Sequence, residues 1–271
     1  MDYLAYYKLS EHPFSNVVDN RFYFNNPQHS EALLRLKYAI DTSKGLAVVI
    51  GNIGAGKTTL ARKMLEELDE ESYEAALLVI IHSSVNSEWL FKKFAIQLGV
   101  KNIAENKIEL LGEIYRRLLE INKEGRKAVV LMDEVQMLNS REIMEEFRGL
   151  LNMETPEGKL VNFIFFGLPE LDQVLSLDEP LKQRIAVRIK LTAYSEDNTH
   201  DYIKHRLQVA GSESAIFTPA AIRLIYKYSK GSPRLINTIC DNALLEGFLF
   251  KETTIDEGTI RTVAVDLGLE A

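Results

Sequence analysis

Residues 51–58 read Gly-Asn-Ile-Gly-Ala-Gly-Lys-Thr, a complete G-x-x-x-x-G-K-T pattern. The apolar run Leu46-Ala-Val-Val-Ile50 leads into it, and residues 60–68 lead out at helical spacing. That strand–loop–helix setting is what gives the motif its meaning. Gly51, Gly54 and Gly56 let the backbone curl, so that successive N–H groups line an anion nest at a helix N-terminus. Lys57 supplies a point charge for the β- and γ-phosphates, and the Thr58 hydroxyl is placed to ligate Mg²⁺. The Thr59 hydroxyl follows within reach of the α-phosphate. Gly51, Asn52, Ile53, Gly54, Ala55, Gly56, Lys57, Thr58 and Thr59 are therefore the candidate nucleotide-binding set, and the pattern implies a nucleoside triphosphate.

A second pattern implies that the triphosphate is hydrolysed. The apolar run Lys127-Ala-Val-Val-Leu-Met132 ends in Asp133-Glu134. In a parallel sheet the carboxyl ends of neighbouring strands converge on the ligand crevice. Asp133 would then stand beside Thr58 and hold Mg²⁺ through its water shell. Glu134 is suited to orient and polarise an attacking water. Two acids after a strand are common in solvated turns, and only the phosphate-loop pattern upstream raises this pair above that reading.

These residues need a scaffold, and the chain alternates strand and helix signals to build one. Strands are predicted at 46–50, 75–82, 127–132, 161–166 and 185–191, with helices at 57–68, 87–98, 107–122, 141–152 and 169–176 between them. From about Ser195 strand signals stop. Helical patterns follow at 196–209, 218–229, 233–248 and 256–266, broken by Gly211, Pro219, Gly231 and Pro233. The expected fold class is α/β: a P-loop core with a parallel sheet, followed by a small all-helical lid. The expected domains are an aromatic N-terminal stretch with a first helix at 1–44, packed on the core, then the core at 45–193 and the lid at 194–271. Tyr3, Tyr6, Tyr7, Phe14, Phe22, Tyr23 and Phe24 crowd that N-terminal stretch. They read either as packing across the core near the base pocket or as a docking surface.

Composition bounds the rest. The 271 residues are 46% hydrophobic and 26% charged, ordinary globular material, with a formal net charge of −7. That balance argues against tight non-specific nucleic-acid binding, although Lys92, Lys93, Arg116 and Arg117 leave room for a local basic surface. The single cysteine, Cys240, lies in an apolar helical pattern and reads as a buried, inert thiol in a reducing compartment. No apolar run approaches a membrane span and no signal peptide opens the chain, so the expected location is cytoplasmic, either free or peripheral to the inner membrane through a partner.

The segments Tyr7-Lys-Leu-Ser-Glu-His-Pro-Phe14, Asp19-Asn-Arg-Phe-Tyr-Phe24 and His29-Ser-Glu-Ala-Leu-Leu-Arg-Leu36 resemble the start of the ExeA/GspA-type AAA+ ATPases. So do Asp133-Glu-Val-Gln136, Gly167-Leu-Pro-Glu-Leu171, Leu181-Lys-Gln-Arg-Ile185, Tyr202-Ile-Lys-His-Arg-Leu207 and Gly231-Ser-Pro-Arg-Leu-Ile-Asn237, and the match runs nearly end to end. The resemblance implies ATP or ADP with Mg²⁺ as ligands. It also implies a role in type II secretion or pilus assembly, and the related TniB/MuB group offers the alternative of a DNA-binding transposition regulator. It places Arg184 as an arginine finger aimed at a neighbouring subunit's γ-phosphate, and hence implies a homo-oligomer, ring or filament. A helix cap or a local ion pair is the competing reading of Arg184. Arg234 falls at the sensor-2 position, with a structural salt bridge as its alternative.

Two departures matter. The family has Gly-Gln-Pro-Glu-Leu where this chain has Gly167-Leu-Pro-Glu-Leu171, so the sensor-1 position is Leu168, without a hydrogen-bonding side chain. Asn162 lies at the wrong end of its strand, which leaves Gln136 or Asn139 to take over. Otherwise water is held less well, and slow turnover and a switch-like role are expected. Relatives often continue into a membrane helix and a cell-wall-binding domain, whereas this sequence stops after the lid at 266–271. A stand-alone ATPase, or the ATPase part of such a system, is expected.

Overall fold

The computed structural model describes residues 3–212 and 214–270. The expected domains begin at residue 1 and end at 271, and residues 1, 2, 213 and 271 lie outside the described residues. Along the chain run α1 (Tyr3–Tyr7), α2 (Pro27–Asp41), β1 (Leu46–Gly51), α3 (Lys57–Glu67), β2 (Tyr73–Val79), α4 (Ser87–Gln97), α5 (Lys107–Lys123), β3 (Lys127–Asp133) and α6 (Arg141–Leu150). A small hairpin, β4 (Glu154–Thr155) and β5 (Gly158–Lys159), precedes β6 (Val161–Gly167), α7 (Leu171–Leu175), α8 (Glu179–Lys182) and β7 (Ile185–Leu191). The last elements are α9 (Glu196–Val209), α10 (Pro219–Ser229), α11 (Pro233–Leu249) and α12 (Glu257–Asp266). All five predicted strands and the lid helices are present; the 154–159 hairpin and α8 are too short to leave a periodic signal.

Residues 27–51 and 60–191 form an α/β unit. Its sheet has the order β2-β3-β6-β1-β7, and every pairing in it is parallel. β1 and β6 are buried along their whole length and β3 nearly so, as befits central strands covered on both faces. The edge strand β7 instead alternates buried and exposed positions. α4, α5 and α6 share one apolar cluster with these strands, in which Phe163 lies between Phe94 and Phe147. Side-chain caps start the helices where the sequence offers them: Asn86 accepts from the Trp89 N–H at 2.8 Å and Asn106 from Ile108 at 2.9 Å.

Residues 3–26, 52–59 and 192 onward form the second, helical unit. Here the structure departs from the expected grouping. The N-terminal aromatics were expected on the core together with α2; only α2 joins the sheet, where it packs on β1, β3 and β7. Tyr7, Leu9, Phe14 and Phe22 are instead buried among Tyr202, Ile203, Phe217, Ile239 and Leu244 of the lid. Arg206 anchors them: it is 6% exposed, donates to the carbonyls of Pro13 and of Ser15 (3.0 Å for Ser15), and lies 4.8 Å over the Phe22 ring. The physical reason is burial of aromatic surface. The aromatic segment adds large apolar side chains to the small core of the lid helices. Cys240 is fully buried in that core, and burial pushes its thiol well above the ordinary range.

Candidate nucleotide site

The phosphate loop begins where β1 ends. β1 is clamped between β6 and β7, with Ile50 paired to Gly167 and Gly51 to Leu191, so the loop leaves a rigid strand. Gly51 keeps ordinary strand backbone, and the curl is made by Gly54 (φ +76°) and Gly56 (φ +89°) alone. The Ala55 N–H folds back onto the Asn52 carbonyl at 3.2 Å. Lys57 opens α3 and is 6% exposed, and its Nζ donates to the Asn52 carbonyl at 3.1 Å. Thr58 and Thr59 are half-buried on the first turn, while Ile53 is exposed. A left-handed loop closing on a helix N-terminus, with a buried ammonium inside it, fits a chain of phosphates and repels a cation or an apolar group.

Arg234 is brought to this loop. Gly231 has φ +73°, and a Cβ there would lie 2.0 Å from the Tyr194 carbonyl oxygen, so only glycine makes the turn into α11. Pro233 then starts the helix. A Cβ on Gly54 would lie 2.6 Å from Ser232 Oγ and 2.9 Å from Arg234 Cβ. Arg234 itself is exposed, which leaves its guanidinium free to reach an anion in the loop. Ser232 was not singled out from sequence; its position two residues before Arg234 in the Gly-Ser-Pro-Arg segment was the available signal.

In the α/β unit, Asp133 closes β3, next but one to β1 in the sheet and at the same carboxyl edge. It is 1% exposed, and its Oδ1 accepts the Glu134 N–H at 2.9 Å. Glu134 adopts a left-handed backbone (φ 59°, ψ 35°) that turns the chain into a 3₁₀ turn, Val135–Met137. That turn returns Gln136 to Glu134, with Nε2 2.5 Å from Glu134 Oε2, and Gln136 Oε1 accepts the Leu168 N–H at 3.1 Å. Of the two candidates to replace a sensor at position 168, Gln136 is therefore engaged at Glu134 and Asn139 is exposed. Asn162 lies at the opposite end of β6, where its Oδ1 accepts the Gly45 N–H at 3.1 Å.

Arg184 is held within its own chain, donating to the Arg148 carbonyl at 3.2 Å and to Asn152 Oδ1 at 2.6 Å at the end of α6. The four cations noted for a basic surface are each engaged locally. Lys92 pairs with Glu88 and Glu105, Arg116 with Glu113, and Arg117 with Glu74, while Lys93 lies over the Trp89 ring. Among the described residues no helix is long and apolar enough to cross a membrane. No group of three or more His, Cys, Asp or Glu among them gathers into a closed metal site.

Residues 40–175 match the AAA domain family. Over 268 residues, 98% of the chain, the sequence is 34% identical to general secretion pathway protein A of Aeromonas hydrophila, and it spans 48% of that protein's length. Among solved structures, CDC6P of Pyrobaculum aerophilum superposes with a TM-score of 0.70 at 18% identity, over 94% of this chain and 70% of that one. The ORC2 protein of Aeropyrum pernix in its ADPNP–ADP complexes gives 0.68 at 16% identity, over 97% and 72%. At these identities the structural likeness speaks to the fold.

Proposed function

The chain belongs to the AAA family of P-loop ATPases, and from that premise we propose how its residues bind and hydrolyse Mg·ATP and what the cycle serves. The observation that carries the reading is Lys57, buried at the start of α3 behind the left-handed Gly54 and Gly56. Lys57 neutralises the β- and γ-phosphates, the loop N–H groups from Asn52 to Thr59 hold the phosphate oxygens, and Arg234 reaches in from α11. Thr58 and Asp133 would hold Mg²⁺, which when bound would supply charge neutralisation on the triphosphate. Glu134 accepts a proton from water as its oxygen bonds to the γ-phosphorus and the bond to the β,γ-bridging oxygen breaks, leaving ADP and phosphate.

The cycle drives assembly of the protein itself or of partners in bacterial type II secretion or pilus machinery, on the cytoplasmic side of the inner membrane. The likeness to general secretion pathway protein A across 98% of the chain supports this. Arg184 acts in trans in an oligomer, once a neighbouring subunit draws it from Arg148 and Asn152. Local pairing of Lys92, Arg116 and Arg117 with acids counts against the DNA-regulator alternative. The test is ATP turnover per subunit against protein concentration for wild type, Glu134→Gln and Arg184→Ala. Glu134→Gln should bind ATP normally and lose about 10²-fold or more in turnover. Turnover should rise with concentration and should not rise in Arg184→Ala. A flat rate untouched by Arg184→Ala would rule out the inter-subunit site.

A further inference from the structure

Gln136 makes a bridge that the phosphate loop and the acid pair do not account for. An ionised carboxylate only accepts hydrogen bonds and a backbone N–H only donates, so a side-chain amide between the two has one possible orientation. The Gln136 Nε2 donates to Glu134 Oε2 at 2.5 Å, and its Oε1 accepts the Leu168 N–H at 3.1 Å. The second Glu134 oxygen, Oε1, remains as an acceptor for water.

Two further features converge on the bridge. Glu134 holds a left-handed backbone at φ 59°, an unfavourable state for a residue with a side chain, kept where surrounding contacts over-determine it. That turn is what brings Gln136 back beside Glu134, two residues on. At the other end, Gly167 leaves the room, since a Cβ there would lie 2.8 Å from Gln136 Oε1 and 2.8 Å from Leu171 Cδ2. β3 and β6 are paired neighbours up to Met132 and Phe165, so their ends hold both anchors of the bridge on one rigid edge.

We infer that Gln136 is a positioning residue for hydrolysis, which fixes the rotamer of Glu134 and ties it to the end of β6. The bridge supplies, through the Leu168 main chain, the link to β6 that the Leu168 side chain cannot make. The inference rests on the reading of Glu134 as the proton acceptor.

Three variants test it: Gln136→Leu, which removes both arms of the bridge; Gln136→Glu, which can still accept from Leu168 but at neutral pH no longer donates to Glu134; and Glu134→Gln. In the nucleotide-free protein, amide exchange at Leu168 should be slow in wild type and Gln136→Glu and faster in Gln136→Leu. In turnover, both Gln136 variants should lose about ten- to a hundredfold in kcat, the scale of a misplaced reacting group, with KM and the affinity for a non-hydrolysable ATP analogue within twofold of wild type. Gln136→Leu added to Glu134→Gln should cost nothing more. Unchanged exchange at Leu168 in Gln136→Leu would show that the bridge is not made in solution. A kcat that is unchanged or raised, a loss confined to KM, or a full-activity Gln136→Glu would overturn the positioning role. Normal hydrolysis by Glu134→Gln alone would instead sink the reading of Glu134, a separate failure.

Discussion

Gly54→Ala probes the contact that seats the phosphate loop against the start of α11. Two costs follow from the structure. Alanine at φ +76° sits in a region that L-residues avoid by roughly 1–2 kcal/mol. Its Cβ would also come within 2.6 Å of Ser232 Oγ and 2.9 Å of Arg234 Cβ, overpacking of a kind that costs about 1–3 kcal/mol. Together these give about 2–5 kcal/mol. If the loop must keep this shape to hold phosphate, then at 1.4 kcal/mol per tenfold the affinity for ATP should fall by about 30- to 4,000-fold. The lower end applies if Ser232 rotates away, so adding Ser232→Ala should recover part of the loss while the backbone cost persists. Titration with a fluorescent ATP analogue in Mg²⁺ reads this directly. Gly149→Ala is the control: it lies in α6 with no atom within 4 Å of the added Cβ, and it should leave affinity unchanged while stabilising the helix by up to about 1 kcal/mol. An affinity for Gly54→Ala within twofold of wild type would refute the argument that glycine is required there by both backbone and contact.

Two further outcomes can be checked on stability. Burial pushes His29 on α2 down to about 4 from an ordinary 6.5, so the folded chain keeps it neutral while the unfolded chain takes up a proton as pH falls below 6.5. Its contribution to stability is therefore flat above that pH and is lost between pH 6.5 and 4, by up to about 3 kcal/mol. Denaturant unfolding across this range should steepen accordingly, and His29→Gln should flatten the slope. An equal slope in both would contradict the assignment. Arg206→Met should cost about 3 kcal/mol or more by leaving the Pro13 and Ser15 carbonyls without their buried donor, and it should expose residues 3–26 to limited proteolysis. Protection equal to wild type would show that Arg206 does not anchor them.

Much of the site was legible in the sequence because its signals are local. A G-x-x-x-x-G-K-T loop needs only neighbours along the chain to make its nest, and runs such as Leu46–Ile50 and Lys127–Met132 announce buried strands. The breaks at Gly211, Pro219, Gly231 and Pro233 separate the lid helices through constraints on single residues. The order β2-β3-β6-β1-β7 was not legible residue by residue, since apolar strands do not name their neighbours.

The limits of the sequence show at particular side chains. It left the N-terminal aromatics between packing on the core and a docking surface, since an aromatic ring fits any apolar surface, and only the tertiary structure assigned Phe14 and Phe22 to the lid through the buried Arg206. It offered Gln136 and Asn139 equally, and only the left-handed turn at Glu134 brings Gln136 to both Glu134 and Leu168. It marked Gly51, Gly54 and Gly56 alike, but β1 keeps Gly51 extended, and the close approach of Ser232 and Arg234 singles out Gly54. In each case residue type sets which contacts are chemically possible. Which one forms depends on partners far away in sequence, and those meet only when the chain has folded.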